Sequence, residues 1–501
     1  MQHSVHSIPH NRHKRAALGA AVLVLGIAAL APTGCDPVAP PGAQTKPFDG
    51  QALTLNCPDA SFADAITPMA KAWAARTGAT VTVTRTPTSA TDAADVVVIP
   101  TGELGKWAED GALAPVPAKV RSSEQLQWQG LLPIYGERLC AWGGQVLAVP
   151  LTGDGHVLVY DEKRFAEPTA RAAFQQRYNR PLVAPATWDD VTDVATVFAE
   201  LDKRPSLPPL PADADKLFDL FARIAASADR RALNDVELAA RIARDPDSLA
   251  FQFSVVSGKP RVQSPGFQRA AQWLDRVRPL CAPPGDPVAV LTAPNGPVLA
   301  LVSLDQLARL GRDKAAPGRF AIAPVPGALT DFDPDGQKLV TSKQLNYVPY
   351  FAGGRLGVVR ARCPHQEAAF DLLSDLGGPA RGAELVGTPD LGAGPLRGSH
   401  LNSERLLLWL GYGFDGKRSE QLRQALDQYV RQSVKNPTVG PRGPDRAAVV
   451  GEVAKPLGLL TAGKSSPAAA LKLAEDAWNA LDAKTPADAL LRWRQRGAGL
   501  N

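Results

Sequence analysis

Short apolar runs alternate with helically spaced apolar residues over residues 51–111. The run at 53–56 predicts a buried strand, and the next helix is predicted to begin at Ser61 and to end at Gly78. Within that helix, apolar residues recur every three or four positions, at Phe62, Ile66, Met69, Ala70 and Trp73. The alternating VTVTRT and the run at 96–99 predict two further strands. Strands that alternate with helices predict a parallel sheet in an α/β architecture.

Polar residues follow two of these predicted strands. Asn56 and Asp59 come after the first strand, and Thr101 and Glu103 come after the run at 96–99. Ligands of open α/β sheets bind at the carboxyl ends of the strands. All four residues are therefore predicted to contact a ligand, although helix capping is an alternative role for Thr101 and Glu103.

The N-terminal segment has the pattern of an export signal. Three cations and no acid precede an apolar run of about fifteen residues, which is short for a membrane span. The small residues that end at Cys35 resemble a bacterial lipoprotein processing site, which implies lipidation of Cys35. The alternative is an ordinary cleaved signal. We therefore expect a signal peptide over 1–34 and, because 35–49 is rich in Pro, Ala and Gly, a flexible tether there.

Composition excludes several classes of protein. Hydrophobic residues make up 45% of the 501 residues and charged residues 21%, as in an ordinary globular protein. The formal charge of +5 includes three cations of the predicted signal, so the exported chain is close to neutral and no nucleic-acid partner is expected. No apolar stretch after residue 35 is long enough to span a membrane.

Motifs of common catalytic and cofactor sites are missing. The sequence has no G-x-S-x-G, no phosphate-binding G-x-x-x-x-G-K-[ST], no H-E-x-x-H and no G-x-G-x-x-G after a strand. No cysteine has the spacing of a zinc ligand. No enzyme activity, cofactor or metal is therefore expected. An oxidising compartment permits disulfides among Cys57, Cys140, Cys281 and Cys363, and the alternative is that they are small buried apolar residues.

Several segments, in this order, resemble family 1 extracellular solute-binding proteins, the periplasmic components of ABC sugar importers. They are KAWAARTGATVTV, DVVVIPTGELGKWAEDGALAPVP, GGQVLAVPLTGDGHVLVYDEKRF, PATWDDVTDVATVFAEL, RFAIAPVPG and YVPYFAGGRLGVVRARCPHQEAAFDLLSDL. The resemblance covers roughly residues 50–500. The threonine of PATWDD, Thr187, is the predicted N-cap of a helix with acids in its first turn.

This resemblance implies a two-lobed α/β periplasmic-binding-protein fold of the class II type, with the ligand cleft between the lobes. The first lobe would comprise 50–152 and 347–396, the second 153–346, and helices of a C-terminal extension over 397–501 would pack on the second lobe. The chain is expected to cross between lobes near 152–156, 346–350 and 395–400. A ligand that contacts both lobes would shift the population toward a closed state.

The predicted crossings supply further ligand candidates. Asp154 and His156 lie in the first crossing and are predicted to contact the ligand. The alternatives are that Asp154 is a solvated turn residue and that His156 is an ordinary hydrogen-bonded loop histidine. Tyr347 and Trp409 are predicted to stack on sugar rings, and Arg397 to donate hydrogen bonds.

The expected function is capture of a carbohydrate and its delivery to ABC permease subunits. The protein would be a monomeric periplasmic lipoprotein, tethered to the membrane by a lipid on Cys35. One alternative is a carbohydrate sensor or scaffold of the same fold. Another is an extracellular hydrolase that uses paired carboxylates such as Asp154 and Glu103, since glycosidases need two carboxyl groups across the substrate.

Overall fold

A computed structural model of the chain describes residues 46–87, 93–314, 316–333 and 338–500. The predicted signal peptide, the predicted lipidation of Cys35 and most of the predicted tether lie outside these residues. Within the described ranges, no helix has both the length and the apolar composition of a membrane span.

Strands occur in two larger sheets and several short pairs. In chain order they are β1 (Ala52–Asn56), β2 (Thr80–Thr84), β3 (Val96–Pro100), β4 (Ala141–Trp142), β5 (Gln145–Val146), β6 (Val149–Thr152), β7 (His156–Asp161), β8 (Leu299–Ser303), β9 (Phe320–Ala323), β10 (Ala328–Asp333), β11 (Lys338–Asn346), β12 (Tyr350–Phe351), β13 (Arg355–Val359) and β14 (Thr438–Val439).

Helices surround these sheets. The α-helices are α1 (Ala60–Thr77), α2 (Leu104–Glu109), α3 (Ala118–Arg121), α4 (Glu162–Ala166), α5 (Pro168–Tyr178), α6 (Trp188–Asp202), α7 (Ala214–Asp229), α8 (Asp235–Ile242), α9 (Pro265–Val277), α10 (Pro287–Thr292), α11 (Leu304–Arg312), α12 (Gln366–Gly377), α13 (Pro379–Val386), α14 (Leu407–Leu410), α15 (Gly416–Val430), α16 (Arg446–Thr461), α17 (Pro467–Asp482) and α18 (Ala487–Gly497). Short 3-10 segments span Thr101–Glu103, Trp128–Gly130, Pro246–Leu249, Arg278–Leu280, Ala316–Gly318, Pro389–Leu391, Gly398–Leu401 and Ser403–Arg405, and Ile134–Leu139 is a π-helical segment.

The first sheet has the strand order β2-β1-β3-β13-β6. Strand β1 is parallel to β2 and β3, as the alternation of strands and helices predicts, whereas β13 returns from a distant part of the chain and runs antiparallel to β3 and β6. Side chains of β3 are buried on both faces: Val96 and Val98 face the main core, and Val97 and Ile99 face a second core cluster. Such two-sided burial explains the unbroken apolar run at 96–99.

Helix α1 begins one turn from the end of β1. Its N-cap is Asp59, which accepts a hydrogen bond from the Phe62 backbone, so the predicted cap at Ser61 is wrong by two positions. The predicted end of the helix is confirmed, because Gly78 adopts a left-handed conformation with φ 84°. Thr187 caps α6 with a reciprocal hydrogen bond to Asp190, which confirms the predicted start of that helix.

The second sheet is antiparallel, with the order β8-β7-β9. Strand β7 follows β6 after only three residues, so the chain passes directly from the first sheet to the second at 153–155. It returns through 347–354, between β11 and β13. At the first crossing, Gly153 and Gly394 exchange two backbone hydrogen bonds of 3.1 and 2.9 Å. These bonds join the segment around Gly394 to the first crossing.

The C-terminal extension contacts both sheets. Helix α15 packs on β9 and β7, and α16 and α17 pack on α7 and α9. Helix α18 contacts α2 beside the first sheet, where Arg496 pairs with Glu109 at 2.5 Å. Residues Lys46–Asn501 form one compact unit, and the predicted lobe boundaries within it stay a prediction.

All four cysteines of the described chain are free thiols. Cys57, Cys140 and Cys363 are buried and Cys281 is half-buried, and burial raises the pKa of the Cys57 thiol to about 11. The disulfide prediction is therefore wrong, and Cys57, Cys140 and Cys363 instead fit the alternative of small buried apolar residues. Their positions in the sequence carried no information on which thiols would approach each other.

Candidate functional site

A cavity of about 520 Å³, in which charged side chains stand among apolar ones, lies at the crossings between the two sheets. The ends of β1 and β3 and the crossing segments form its first wall, and the start of α11 beyond β8 forms its second. It is lined by Cys57, Pro58, Asp59, Val98, Ile99, Pro100, Glu103, Gly153, Asp154, Ser303, Asp305, Gly353, Gly354, Arg355, Leu391 and Gly392. A molecule in this cavity, named the polar cavity below, would contact elements of both sheets.

An ion pair between Asp59 and Arg355 stands on the first-sheet wall. Strand β13 carries Arg355 to the end of β1, and its Nε donates to the Asp59 carboxylate at 3.0 Å. Burial alone would raise the pKa of Asp59, but the Arg355 guanidinium holds it below its usual value. Arg355 also donates to the Leu391 carbonyl at 3.2 Å. The pair therefore presents both a fixed acceptor and a fixed donor to the cavity.

Two further carboxylates line the polar cavity. Glu103 forms no ion pair within the described part of the chain, and Asp305 accepts a 2.5 Å hydrogen bond from the Ser303 hydroxyl but has no cationic partner there. Carboxylates without a cation nearby keep free lone pairs for donors on a ligand. Together with Asp59, they make this cavity rich in hydrogen-bond acceptors.

Asp154 is held by the protein itself. Its Oδ1 accepts from the Gly155 backbone at 2.7 Å, and its Oδ2 accepts from the Gly353 backbone at 3.2 Å and from the Tyr429 hydroxyl at 2.9 Å. The Arg223 guanidinium lies 3.8 Å from Oδ2. The carboxylate therefore joins the first crossing, the second crossing and α15 at one point.

The protonation state of Asp154 bears on catalysis. Burial would raise the pKa of Asp154, but the neighbouring His156 and Arg223 groups and the Tyr429 hydrogen bond lower it well below its usual range. A glycosidase general acid requires the opposite shift, toward a raised pKa. Asp154 is thus unsuited to the acid role in the predicted alternative of a hydrolase.

His156 lies on the wall of a second cavity of about 300 Å³. Its Nδ1 is 3.5 Å from Asp154 Oδ1, and its ring centroid is 6.2 Å from that of Tyr429. Burial and the nearby Arg223 charge lower the pKa of His156, although the Asp154 carboxylate opposes this shift. This second cavity, mostly lined by apolar side chains, is named the apolar cavity below.

Two predicted contacts at strand ends serve the backbone instead. Asn56 is fully buried; its amide donates to the Thr86 carbonyl at 3.1 Å and accepts from the Thr86 backbone at 3.1 Å. The Thr101 hydroxyl is buried and lies 3.1 Å from the carbonyls of both Ala352 and Gly353. Neither residue lines the polar cavity, so both predictions are corrected, whereas Asp59, Glu103 and Asp154 do line it.

Three other predicted ligand contacts are core residues. Arg397 is 1% exposed and donates to the carbonyls of Leu126, Gly377 and Gln127 at 2.6, 2.7 and 2.8 Å. Trp409 is fully buried and donates to the His400 carbonyl, and the buried Tyr347 donates to the Tyr429 carbonyl. Because their polar groups are bonded to backbone away from both cavities, the predictions for these residues are corrected.

Sequence reasoning missed Arg355, Ser303 and Asp305. Asp305 follows the carboxyl end of β8, as Asp59 follows that of β1, whereas Arg355 is the first residue of β13 and reaches the cavity because β13 runs antiparallel to β3. The end-of-strand rule could have found Asp305 had β8 been assigned as a strand of the second sheet. In the described chain, no group of three or more His, Cys, Asp or Glu side chains is placed to hold a metal ion.

Asp219 on α7 places a titratable carboxyl group on the wall of the apolar cavity. It accepts a 3.0 Å hydrogen bond from the Tyr350 hydroxyl, and burial raises its pKa from 3.8 to about 6. The folded protein therefore binds the proton of the Asp219 carboxyl group more tightly than the unfolded chain does. The stabilisation of the folded protein by the protonated Asp219 carboxyl group is complete at low pH and is lost as the pH rises through about 6.

Replacing Asp219 by Asn should therefore stabilise the protein in a pH-dependent way. At pH 7.5 the free energy of unfolding is expected to rise by about 1–3 kcal/mol, because the buried charge is removed, and at pH 4 little change is expected. Urea unfolding at both pH values measures this, with the exposed Asp427→Asn on α15 as control. An equal effect of Asp219→Asn at the two pH values would contradict the assigned titration.

Several solved structures of other proteins have a fold similar to that of this chain. The cyclic α-maltosyl-1,6-maltose binding protein from Arthrobacter globiformis is 16% identical, with a TM-score of 0.62 over 87% of this chain and 99% of that one. The sugar-binding protein MalE from Xanthomonas citri gives the same identity and TM-score over 87% and 98%. A solute-binding protein of an ABC transporter from Agrobacterium radiobacter K84, in complex with ribitol, is 18% identical, with a TM-score of 0.58 over 87% and 100%. These likenesses confirm the predicted periplasmic-binding-protein fold.

The family is established by the sequence itself. A comparison with curated proteins gives no match. The family model described as bacterial extracellular solute-binding protein, however, matches residues 69–404, more than half of the chain. That span includes the second sheet, four of the five strands of the first sheet, both crossings and every polar residue of the second wall of the polar cavity. The chain therefore belongs to the bacterial extracellular solute-binding protein family.

Proposed function

We propose that this protein captures a carbohydrate or polyol outside the cytoplasm and delivers it to an ABC importer. The observation that carries the proposal is the polar cavity, whose acceptor-rich walls come from both sheets. Similar structures are described as sugar-binding proteins or as complexes with ribitol and D-mannitol. Hydroxyl groups are the donors that such walls would bind.

Ligand binding would couple the two walls. Asp59, Glu103 and Arg355 lie on the first-sheet side, and Ser303 and Asp305 lie on the second. A ligand that bonds to both sides stabilises only the closed arrangement, in which both sets of contacts exist together. Closure of this kind would give the permease a signal that the protein is loaded.

The lining of the polar cavity favours a small, hydroxyl-rich ligand. No aromatic ring is among the described residues that line it, so stacking on a sugar face cannot supply the binding energy there. Glu103 and Asp305 also disfavour anionic ligands such as uronic acids or sugar phosphates. Monosaccharides and linear polyols fit this chemistry better than long oligosaccharides do.

A thermal-shift screen tests the proposed function. The purified protein is heated with monosaccharides, oligosaccharides, polyols, amino acids and polyamines in separate wells. Binding to the folded state raises its stability by about 2.7 kcal/mol at a hundredfold excess over Kd. A saturable shift with one sugar or polyol class supports the proposal. A shift only with amino acids or polyamines, or with nothing, contradicts it.

Substitutions in the polar cavity should weaken binding without unfolding the protein. Glu103→Gln removes the charge of a carboxylate on one wall, and Asp305→Ala removes a carboxylate from the other. Each is expected to raise Kd by about tenfold, since a hydrogen bond to a charged group contributes roughly 1.5–3 kcal/mol. Calorimetric titration with the ligand found in the screen measures this. The exposed Asp64→Ala on α1 is the control and should leave Kd unchanged. Unaltered Kd values in both cavity variants would place the ligand elsewhere.

Membrane attachment is a separate part of the proposal. We propose that Cys35 carries a lipid and that the segment 35–49 tethers the binding domain to the membrane surface. Metabolic labelling with a fatty-acid analogue tests this: label on the exported protein supports the anchor, and an unlabelled, soluble product contradicts it.

A further inference from the structure

The apolar cavity lies between the second sheet and helices α6, α7 and α9. Much of its wall is formed by Trp188 and Val191 of α6, Leu207 of the loop between α6 and α7, and Trp273 of α9. Each of these residues is at least nine-tenths buried. The two indole rings meet edge to face, with centroids 5.2 Å apart. A cavity of about 300 Å³ with such walls has room for an aromatic ring or a short alkyl chain.

Two buried donors on this cavity lack acceptors. Within the described residues, Nε1 of Trp188 and Nη2 of Arg223 have no hydrogen-bond partner, although Trp188 is 5% exposed and Arg223 4%. The other guanidinium nitrogen of Arg223 is satisfied, since Nη1 donates to the Tyr350 carbonyl at 3.1 Å. Buried donors normally have acceptors, because leaving one unpaired is unfavourable. A molecule in the apolar cavity would therefore carry at least one acceptor oxygen beside its apolar part.

The apolar cavity adjoins the polar cavity. Ser303 and Asp305 line both, and the polar cavity begins where β8 ends. His156 on the apolar side and Asp154 on the polar side are likewise two residues apart in the first crossing. A ligand that spans the two cavities would therefore pass Ser303 and Asp305.

We propose that the ligand is an amphipathic glycoside, whose sugar binds in the polar cavity and whose aryl or alkyl aglycone binds in the apolar cavity. This inference rests on the proposed function, which places a sugar in the polar cavity. The aglycone would bury its apolar surface against Trp188, Val191 and Trp273. Its linking or ring oxygen would accept from Trp188 Nε1, which has no hydrogen-bond partner among the described residues. The two cavities together then favour the glycoside over the free sugar.

Filling the apolar cavity tests this inference. Leu220 of α7 is half-buried on the cavity wall, so Leu220→Trp would place an indole in the space of the aglycone. Val191→Phe fills the same space from α6 and is the second variant if the first does not fold. Leu201→Trp is the matched control, because Leu201 is exposed at the far end of α6. Melting temperatures confirm that each variant is folded before binding is measured.

The probes are phenol and, for each sugar that shifts the melt in the screen, its phenyl and methyl glycosides. Wild-type protein should bind phenol, and should bind the phenyl glycoside roughly tenfold or more tightly than the methyl glycoside. In Leu220→Trp this preference should fall to about one and phenol binding should be lost, whereas Leu201→Trp should match the wild type.

The outcomes separate this inference from the proposed function. If sugars bind but phenol does not, or if Leu220→Trp keeps the preference for phenyl glycosides, the inference is overturned while the proposed function stands. If no sugar shifts the melt, the proposed function fails, and the assignment of a glycoside falls with it even if phenol binds in the apolar cavity.

Discussion

Asp154→Ala is expected to lower the free energy of unfolding by about 3–5 kcal/mol, the range for breaking a buried charge pair. The variant leaves the buried Arg223 without its closest carboxylate, 3.8 Å away. It also removes the acceptor of the Gly155 and Gly353 backbone amides and of the Tyr429 hydroxyl. Because these groups belong to two crossings and to α15, their loss should destabilise the junction between the sheets and not merely one loop.

Urea unfolding at neutral pH measures the effect. Asp154→Asn keeps an acceptor oxygen but not the charge, and is expected to lose less than the alanine variant does. Asp64→Ala removes an exposed carboxylate that pairs with Arg85 and should change stability by less than about 1 kcal/mol. A loss below about 1 kcal/mol in Asp154→Ala would show that the carboxylate is an ordinary solvated turn residue, the alternative considered from the sequence.

Gly394→Ala is expected to lower the free energy of unfolding by about 3 kcal/mol, at the upper end for overpacking. A β-carbon at this position would lie 1.9 Å from the Asp154 carbonyl oxygen, which is backbone and cannot rotate away. Gly394 also exchanges two hydrogen bonds with Gly153 at the first crossing. The added methyl group must therefore push two crossing segments apart.

The control is a glycine-to-alanine substitution at Gly398, four residues further along the chain. At Gly398 a β-carbon would have no neighbour within 4 Å, so Gly398→Ala should leave stability almost unchanged. Thermal unfolding of both variants, with ligand titration of any that fold, measures the difference. Because the polar cavity is built on this crossing, Gly394→Ala should also weaken ligand binding. Equal melting temperatures for the two variants would contradict the close packing of the crossings.

Local sequence patterns were sufficient to predict the elements nearest the first wall. The apolar run at 53–56 and the helix that ends at Gly78 are both present, since they depend on residues within one turn of each other. Asp59 and Glu103 were placed at the cavity by the rule that ligands bind at strand ends. Those predictions needed only the order of strands along the chain.

Contacts between distant residues were beyond local patterns. The partner of Asp59 is Arg355, 296 residues away, and it arrives only because β13 returns to the first sheet. Arg397 illustrates the reverse error. Its place in a predicted crossing suggested a ligand contact, yet its guanidinium donates to three backbone carbonyls from two separate segments. Whether a polar side chain meets ligand or backbone is decided by tertiary packing.

Equilibrium dialysis of the purified protein against the radiolabelled sugar or polyol found in the screen tests the central claim most directly. The wild type should bind one molecule per chain and release it chemically intact. The double variant Glu103→Gln/Asp305→Ala should bind at least about a hundredfold more weakly, about tenfold for each carboxylate removed. Unchanged binding in a folded double variant, or recovery of a cleaved ligand, would contradict a binding protein that holds its solute in the polar cavity.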